Sequence, residues 1–120
     1  MELKMKRIYE SPEETDGFRI LVDRLWPRGV KKEAAQLDAW LKYSAPSPDL
    51  RKWFAHDPDK FAAFKERYEE ELSTNPPTAA AVAEILKQLT ETDVTLVYAS
   101  RDPEINHVVV LRDFVESQRK

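Results

Sequence analysis

The chain has 120 residues, of which 42% are hydrophobic and 34% charged, and its formal net charge is −3. This length and even composition predict a single domain over residues 1–120 with one apolar core. The absence of cysteine excludes disulfides, thiolate metal sites and thiol nucleophiles, and the two glycines, Gly17 and Gly29, are too few for a Walker loop or a Rossmann turn.

The first third of the chain predicts two strands and a helix. Residues 4–9 alternate charged and apolar side chains, which is typical of a short strand with one solvated face. Residues 18–25 are rich in strand formers and are followed by Pro27 and Gly29, which end the strand. Apolar residues recur at spacings of three and four between residues 32 and 43, and this spacing predicts an amphipathic helix there.

Capping residues followed by proline predict most of the later helices. Ser47-Pro48 and Asp57-Pro58 each begin one, with the second continuing to Leu72, and a fourth helix follows residues 75–77 and ends near Glu91. Residues 94–99 are apolar enough to predict a central strand buried on both faces. Asp102-Pro103 then predicts the start of a last helix over residues 104–118.

These elements predict an α/β fold with a small three-stranded sheet, at least one parallel pair and about five helices. The helices between residues 18–23 and 94–99 favour parallel pairing of those two strands. The carboxyl ends of the two strands would then lie at one edge of the sheet, where open α/β sheets bind ligands.

Polar residues follow both of these strands. The first is followed by Asp23, Arg24 and Arg28, and the second by Ser100 and Arg101, with Asn106 and His107 in the first turn of the last helix. Arginines beside a helix N-terminus favour an anion. The sequence therefore predicts a small pocket for an anionic or nucleotide-like ligand, with the alternative that these side chains only pair with each other or cap helices.

Asp23 and His107 are the candidate catalytic residues, as proton carriers. Histidine titrates near neutral pH and suits general base catalysis, although a half-buried structural histidine fits the position of His107 as well. The two histidines lack the spacing of a metal site, and neither a metal nor another cofactor is expected.

Residues 16–29, from Asp16 through the run Asp23-Arg24-Leu25-Trp26-Pro27-Arg28-Gly29, resemble the signature of the YeaO-like family of bacterial proteins, a domain of unknown function. The resemblance continues over essentially the whole chain and implies no established activity. It adds Ser47, Arg51 and His56 to the candidate substrate-binding residues, beside Arg24, Arg28, Arg101 and Asn106.

Two functions remain open at this stage. The first is a pocket protein for a small anionic ligand, with or without enzyme activity, in which Arg24, Arg28 and Arg51 hold the anion. The second is a non-catalytic interaction module that forms a homo-oligomer or pairs with another chain through the apolar run at residues 108–111. The net charge and the lack of a helix-turn-helix argue against a third function, nucleic-acid binding. Apolar runs this short exclude a membrane partner, and a cytoplasmic location is expected.

Overall fold

The computed structural model describes residues 1–102 and 104–119. In this part of the chain four parallel strands form one sheet in the order β1-β4-β2-β3. The strands are β1 (Leu3–Arg7), β2 (Phe18–Leu21), β3 (Ala39–Trp40) and β4 (Val94–Tyr98). The α-helices are α1 (Lys32–Ala35), α2 (Pro48–Phe54), α3 (Phe61–Thr74), α4 (Pro76–Leu89) and α5 (His107–Gln118). The predicted α/β class, parallel sheet and five helices are confirmed.

The central strand is β4, as its composition predicts. All five of its residues are buried, because β1 covers one edge, β2 covers the other, and helices pack on the sheet. Val94 is level with both Leu3 and Phe18. The predicted parallel pairing of the second and last strands is therefore confirmed, and their carboxyl ends share one edge.

The predicted helix over residues 32–43 is wrong, and with it the count of three strands. Helix α1 ends at Ala35, and Gln36 takes a left-handed backbone conformation with φ of 47°. Arg19, only 4% exposed, donates to the carbonyls of Ala35 and Gln36 at 2.9 and 3.2 Å and forms an ion pair with Asp16 at 2.5 Å. This buried guanidinium satisfies the carbonyls at the helix end, and the chain then runs along β2 as the fourth strand, β3.

The last helix starts three residues later than predicted. Asn106, which is 1% exposed, is its N-cap, and the Asn106 side chain accepts a hydrogen bond from the Val109 amide at 3.0 Å. Asp102 caps the preceding turn instead, by accepting from the amides of Glu104 and Ile105. Pro103, the other half of the predicted start signal, lies outside the described residues.

The apolar run of α5 belongs to the core of the domain. Val108, Val110, Leu111 and Val115 are at most 1% exposed and pack with β4 and with the aromatic residues of α3. No helix in the described residues is both long enough and apolar enough to span a bilayer.

At Gly17, just before β2, the backbone closely approaches the residue that precedes β4. Its φ is +67°, and a Cβ atom there would lie 2.2 Å from the carbonyl oxygen of Asp93, which accepts the first hydrogen bond of β2 from Phe18. We expect Gly17→Ala to lower the free energy of unfolding by about 3 kcal/mol, because backbone strain and a steric clash add together.

Gly29 is the matched control, since its φ is +76° but nothing lies within 4 Å of a Cβ atom there. Gly29→Ala should cost only about 1 kcal/mol, the strain of the left-handed backbone alone. Urea unfolding of both variants measures the difference. Equal losses would contradict a close approach at Gly17.

Candidate functional site

A cavity of about 260 Å³ lies at the carboxyl ends of β2 and β4, beside α2 and the N-terminus of α5. Its apolar walls include Trp26 and Pro27 after β2, and Phe54 and Phe64 from α2 and α3. Its polar lining residues are Asp23, Arg24, Arg51, His56, Ser100 and His107. The cavity thus occupies the edge of the sheet where the sequence predicts a pocket.

The Asp23 carboxylate joins the ends of the two strands. The backbone ladder between β2 and β4 ends with the Val22 amide donating to the Val97 carbonyl at 3.0 Å. The Ala99 amide then donates to Oδ2 of Asp23 at 2.9 Å, so a side chain replaces the next backbone acceptor. The replacement explains why β2 is shorter than the predicted strand over residues 18–25.

His107 is the first residue of α5 and points its ring toward the same strand end. Its Nε2 atom lies 3.0 Å from the Val22 carbonyl oxygen and 3.5 Å from Oδ1 of Asp23. A carbonyl oxygen can only accept, so Nε2 carries a hydrogen in this arrangement. That nitrogen is therefore a donor held by the backbone, and it is not available as a proton acceptor.

Burial moves the pKa values of this pair in opposite directions. The side chains of His107 and Asp23 are 18% and 17% exposed. Desolvation lowers the pKa of His107 and raises the pKa of Asp23, and the attraction between the two groups opposes both shifts. The pKa of His107 thus lies below 6.5, so at neutral pH this histidine is uncharged beside the carboxylate.

The two arginines that line the cavity differ in what they contact. Arg24 donates from Nε and Nη2 to the carbonyl oxygen of Pro46, both at 3.2 Å, and its guanidinium lies over the Tyr43 ring. It therefore links the loop after β2 to the segment before α2. Arg51 on α2 is exposed and forms no hydrogen bond or ion pair through its side chain within residues 1–102 and 104–119.

His56 lines the cavity and has a left-handed backbone conformation. Ala55 and His56 follow α2 with φ values of 47° and 56°, two consecutive residues in the left-handed region. The Ala55 amide donates to the Arg51 carbonyl and closes the helix. His56 is exposed, and its ring lies 6.0 Å from that of Phe54.

The other four predicted site residues lie elsewhere. Arg28 and Arg101 are exposed and do not line the cavity. Ser47 caps α2, donates from Oγ to Glu71 at 2.6 Å, and lines a separate open groove between α2 and α3. Asn106 is the buried cap of α5. The structure thus brings together Asp23, Arg24, Arg51, His56 and His107.

The aromatic walls of the cavity are not predicted from the sequence. Phe54 and Phe64 stack with ring centroids 4.2 Å apart, and both line the cavity as well as packing in the core. Helical spacing does not separate these two environments. Within the described residues, no group of three or more His, Asp and Glu side chains could hold a metal ion.

The chain matches a known sequence family but no solved structure. Residues 2–120 match a family described as "Inactive DUF488-N3 subclade". The uncharacterised protein YeaO of Escherichia coli K12 is 41% identical over 117 residues, which cover 98% of this chain and 99% of YeaO. The uncharacterised protein Rv3073c of Mycobacterium tuberculosis H37Rv is 38% identical over 116 residues, covering 97% and 95% of the two chains. No solved structure matches significantly.

The environment of His107 predicts a pH dependence of stability. Its pKa is lower in the folded protein than in the unfolded chain, so the unfolded chain takes up a proton first as the pH falls. Stability should therefore fall from about pH 6.5 downward, with a slope of up to about 1.4 kcal/mol per pH unit, until the folded histidine also titrates. Arg51 and His56 disfavour a charge on His107, and Asp23 favours one.

His107→Gln tests this, because the glutamine amide can still donate to the Val22 carbonyl but does not titrate. Urea unfolding between pH 7.5 and 5.5 should give a smaller slope for the variant than for the wild type. Asp23, whose pKa is raised, contributes a slope of the opposite sign at lower pH. Identical slopes in the two proteins would show that His107 is not held neutral by its surroundings.

Proposed function

We propose that the chain, which belongs to the YeaO-like family of domain of unknown function 488, binds a small anionic molecule, nucleotide-like compounds included, in the cavity at the ends of β2 and β4. The observation that carries the proposal is the Arg51 guanidinium. It lines the cavity and has no partner in the described residues.

The surroundings of Arg51 suit a ligand with an apolar body. Trp26, Phe54 and Phe64 supply apolar and aromatic surface, against which a ring or an aliphatic chain loses its contact with water. Cavities of this kind bind ligands through mostly apolar walls and a few polar groups that set orientation. A guanidinium at the wall holds a carboxylate or phosphate through paired hydrogen bonds.

The backbone contacts of the two candidate catalytic residues occupy only part of each side chain. Nε2 of His107 donates to a backbone carbonyl, and Oδ2 of Asp23 accepts from a backbone amide. Oδ1 of Asp23 accepts no hydrogen bond within residues 1–102 and 104–119. We therefore propose ligand binding and assign no reaction to the cavity.

The alternative of an interaction module finds no support in the position of α5. The apolar residues that would form its contact surface pack inside the domain, with Val108 and Leu111 fully buried. Val109 is half-buried, and the other three residues of the run have their contacts within the domain.

The proposal is tested with Arg51→Gln and a matched control, Lys52→Gln. Both residues are exposed on α2 and both changes remove one positive charge, but only Arg51 lines the cavity. Nucleoside monophosphates, phosphorylated metabolites and small aromatic acids would be screened by thermal shift, since a ligand of the folded protein raises the melting temperature further as its concentration increases.

For every compound that shifts the wild type, we expect Arg51→Gln to weaken binding about tenfold or more, because hydrogen bonds to a charged group are lost. Lys52→Gln should bind as the wild type does, and so should Arg28→Gln, since Arg28 lies outside the cavity. Equal weakening by Arg51→Gln and Lys52→Gln would indicate a diffuse charge effect and would contradict a site in the cavity.

A further inference from the structure

The carboxylate of Asp23 has one oxygen atom without a partner. Oδ2 accepts from the Ala99 amide, whereas Oδ1 accepts no hydrogen bond within residues 1–102 and 104–119. Nε2 of His107 lies 3.5 Å from Oδ1 and directs its hydrogen to the Val22 carbonyl oxygen at 3.0 Å. Because Asp23 lines the cavity, Oδ1 is the atom it can offer to a ligand.

We propose that the ligand carries an amino group, neutral or charged, that donates to Oδ1 of Asp23 while its anionic group binds Arg51. The inference rests on the proposed function and adds a second requirement to it. The ligand would then be a bipolar molecule with its amino group at Asp23, its anionic group at Arg51 and an apolar part against the cavity walls.

Desolvation is the reason that a purely anionic ligand would fit poorly. Water can hydrogen-bond to Oδ1 while the cavity is open to solvent. A ligand that fills the cavity displaces this water, and a carboxylate oxygen that loses its donor without replacement is strongly disfavoured. An amino group replaces the lost donor, and it also separates the ligand anion from the charge of Asp23.

The charges around Asp23 support the same requirement. Arg24 lines the cavity but uses its Nε and Nη2 donors on the carbonyls of Ala45 and Pro46. Burial raises the pKa of Asp23, and His107, the Ala99 amide and Arg51 lower it without cancelling the effect of burial. Within the described residues no lysine or arginine forms an ion pair with Asp23, and the His107 imidazole beside it is uncharged at neutral pH.

Two classes of compound share this chemistry. An apolar α-amino acid offers an ammonium and a carboxylate, and an amino-substituted nucleotide offers the amino group of its base and a phosphate. Both have an apolar or aromatic part that suits the walls formed by Trp26, Phe54 and Phe64.

Calorimetric titration of the full chain with matched pairs tests the inference. The first pair is L-phenylalanine and 3-phenylpropionate, and the second is adenosine monophosphate and purine riboside monophosphate, which lacks the amino group. In at least one pair the wild type should bind the amino compound tenfold or more tightly. The pair that shows this preference identifies the class of ligand.

Asp23→Asn should bring the ratio of the two affinities in that pair close to one. The asparagine oxygen can still accept from the Ala99 amide, so the end of the sheet keeps its hydrogen bond. The side-chain nitrogen then replaces Oδ1 and cannot accept from an amino group. Should the variant fail to fold, the ratios measured on the wild type still decide whether the ligand needs an amino group.

The outcomes also separate this inference from the proposed function. If the amino-free compounds bind as tightly as their partners and lose affinity in Arg51→Gln, the anion site stands and the amino requirement is wrong. If neither pair binds at millimolar concentration, and the wider screen finds no anion that depends on Arg51, both are overturned. A preference that persists in Asp23→Asn would overturn the role of Asp23.

Discussion

The pairing of β2 with β4 is the constraint on which the rest of the structure depends. Because β4 lies between β1 and β2 and all strands are parallel, the polar segments after β2 and β4 must emerge side by side. The helices packed on the sheet, together with β1 and β2 at either side, bury every residue of β4. The hydrogen bond from the Ala99 amide to Asp23 closes this arrangement where the backbone ladder stops.

The two carboxylate oxygens of Asp23 therefore have different surroundings. One oxygen completes the edge of the sheet, and the other lines the cavity beside His107. The two roles are compatible because a carboxylate has two separate acceptor atoms. Burial of the Asp23 carboxylate disfavours its charged form and raises its pKa, and a ligand that donates a hydrogen bond would stabilise the charged form.

Local signals predicted much of the fold from the sequence. The start of α2 at Pro48 follows from the Ser47 cap, and the central position of β4 follows from its unbroken apolar character. The helix predicted over residues 32–43 is wrong because apolar spacing alone does not show where a helix ends. The interaction that ends α1 comes from Arg19, which is distant along the chain and is buried only in the folded protein.

The position of the candidate site at the sheet edge was predictable from the sequence, but not which side chains line it. Parallel pairing places Asp23 and His107 at one edge of the sheet without any knowledge of loops. The direction of a side chain after a strand ends depends on tertiary contacts, so Arg28 and Arg101 were indistinguishable in the sequence from the residues that line the cavity. Arg51 was added only by resemblance to the family, because its helix reaches the cavity from the other side.

The most direct test of a ligand site in this cavity is a backbone amide NMR titration with L-phenylalanine and with adenosine monophosphate. We expect saturable shifts confined to the amides of residues 24–26, 56 and 99–100, which surround the cavity. Shifts centred instead on Trp53 and Arg67, in the open groove between α2 and α3, would contradict it.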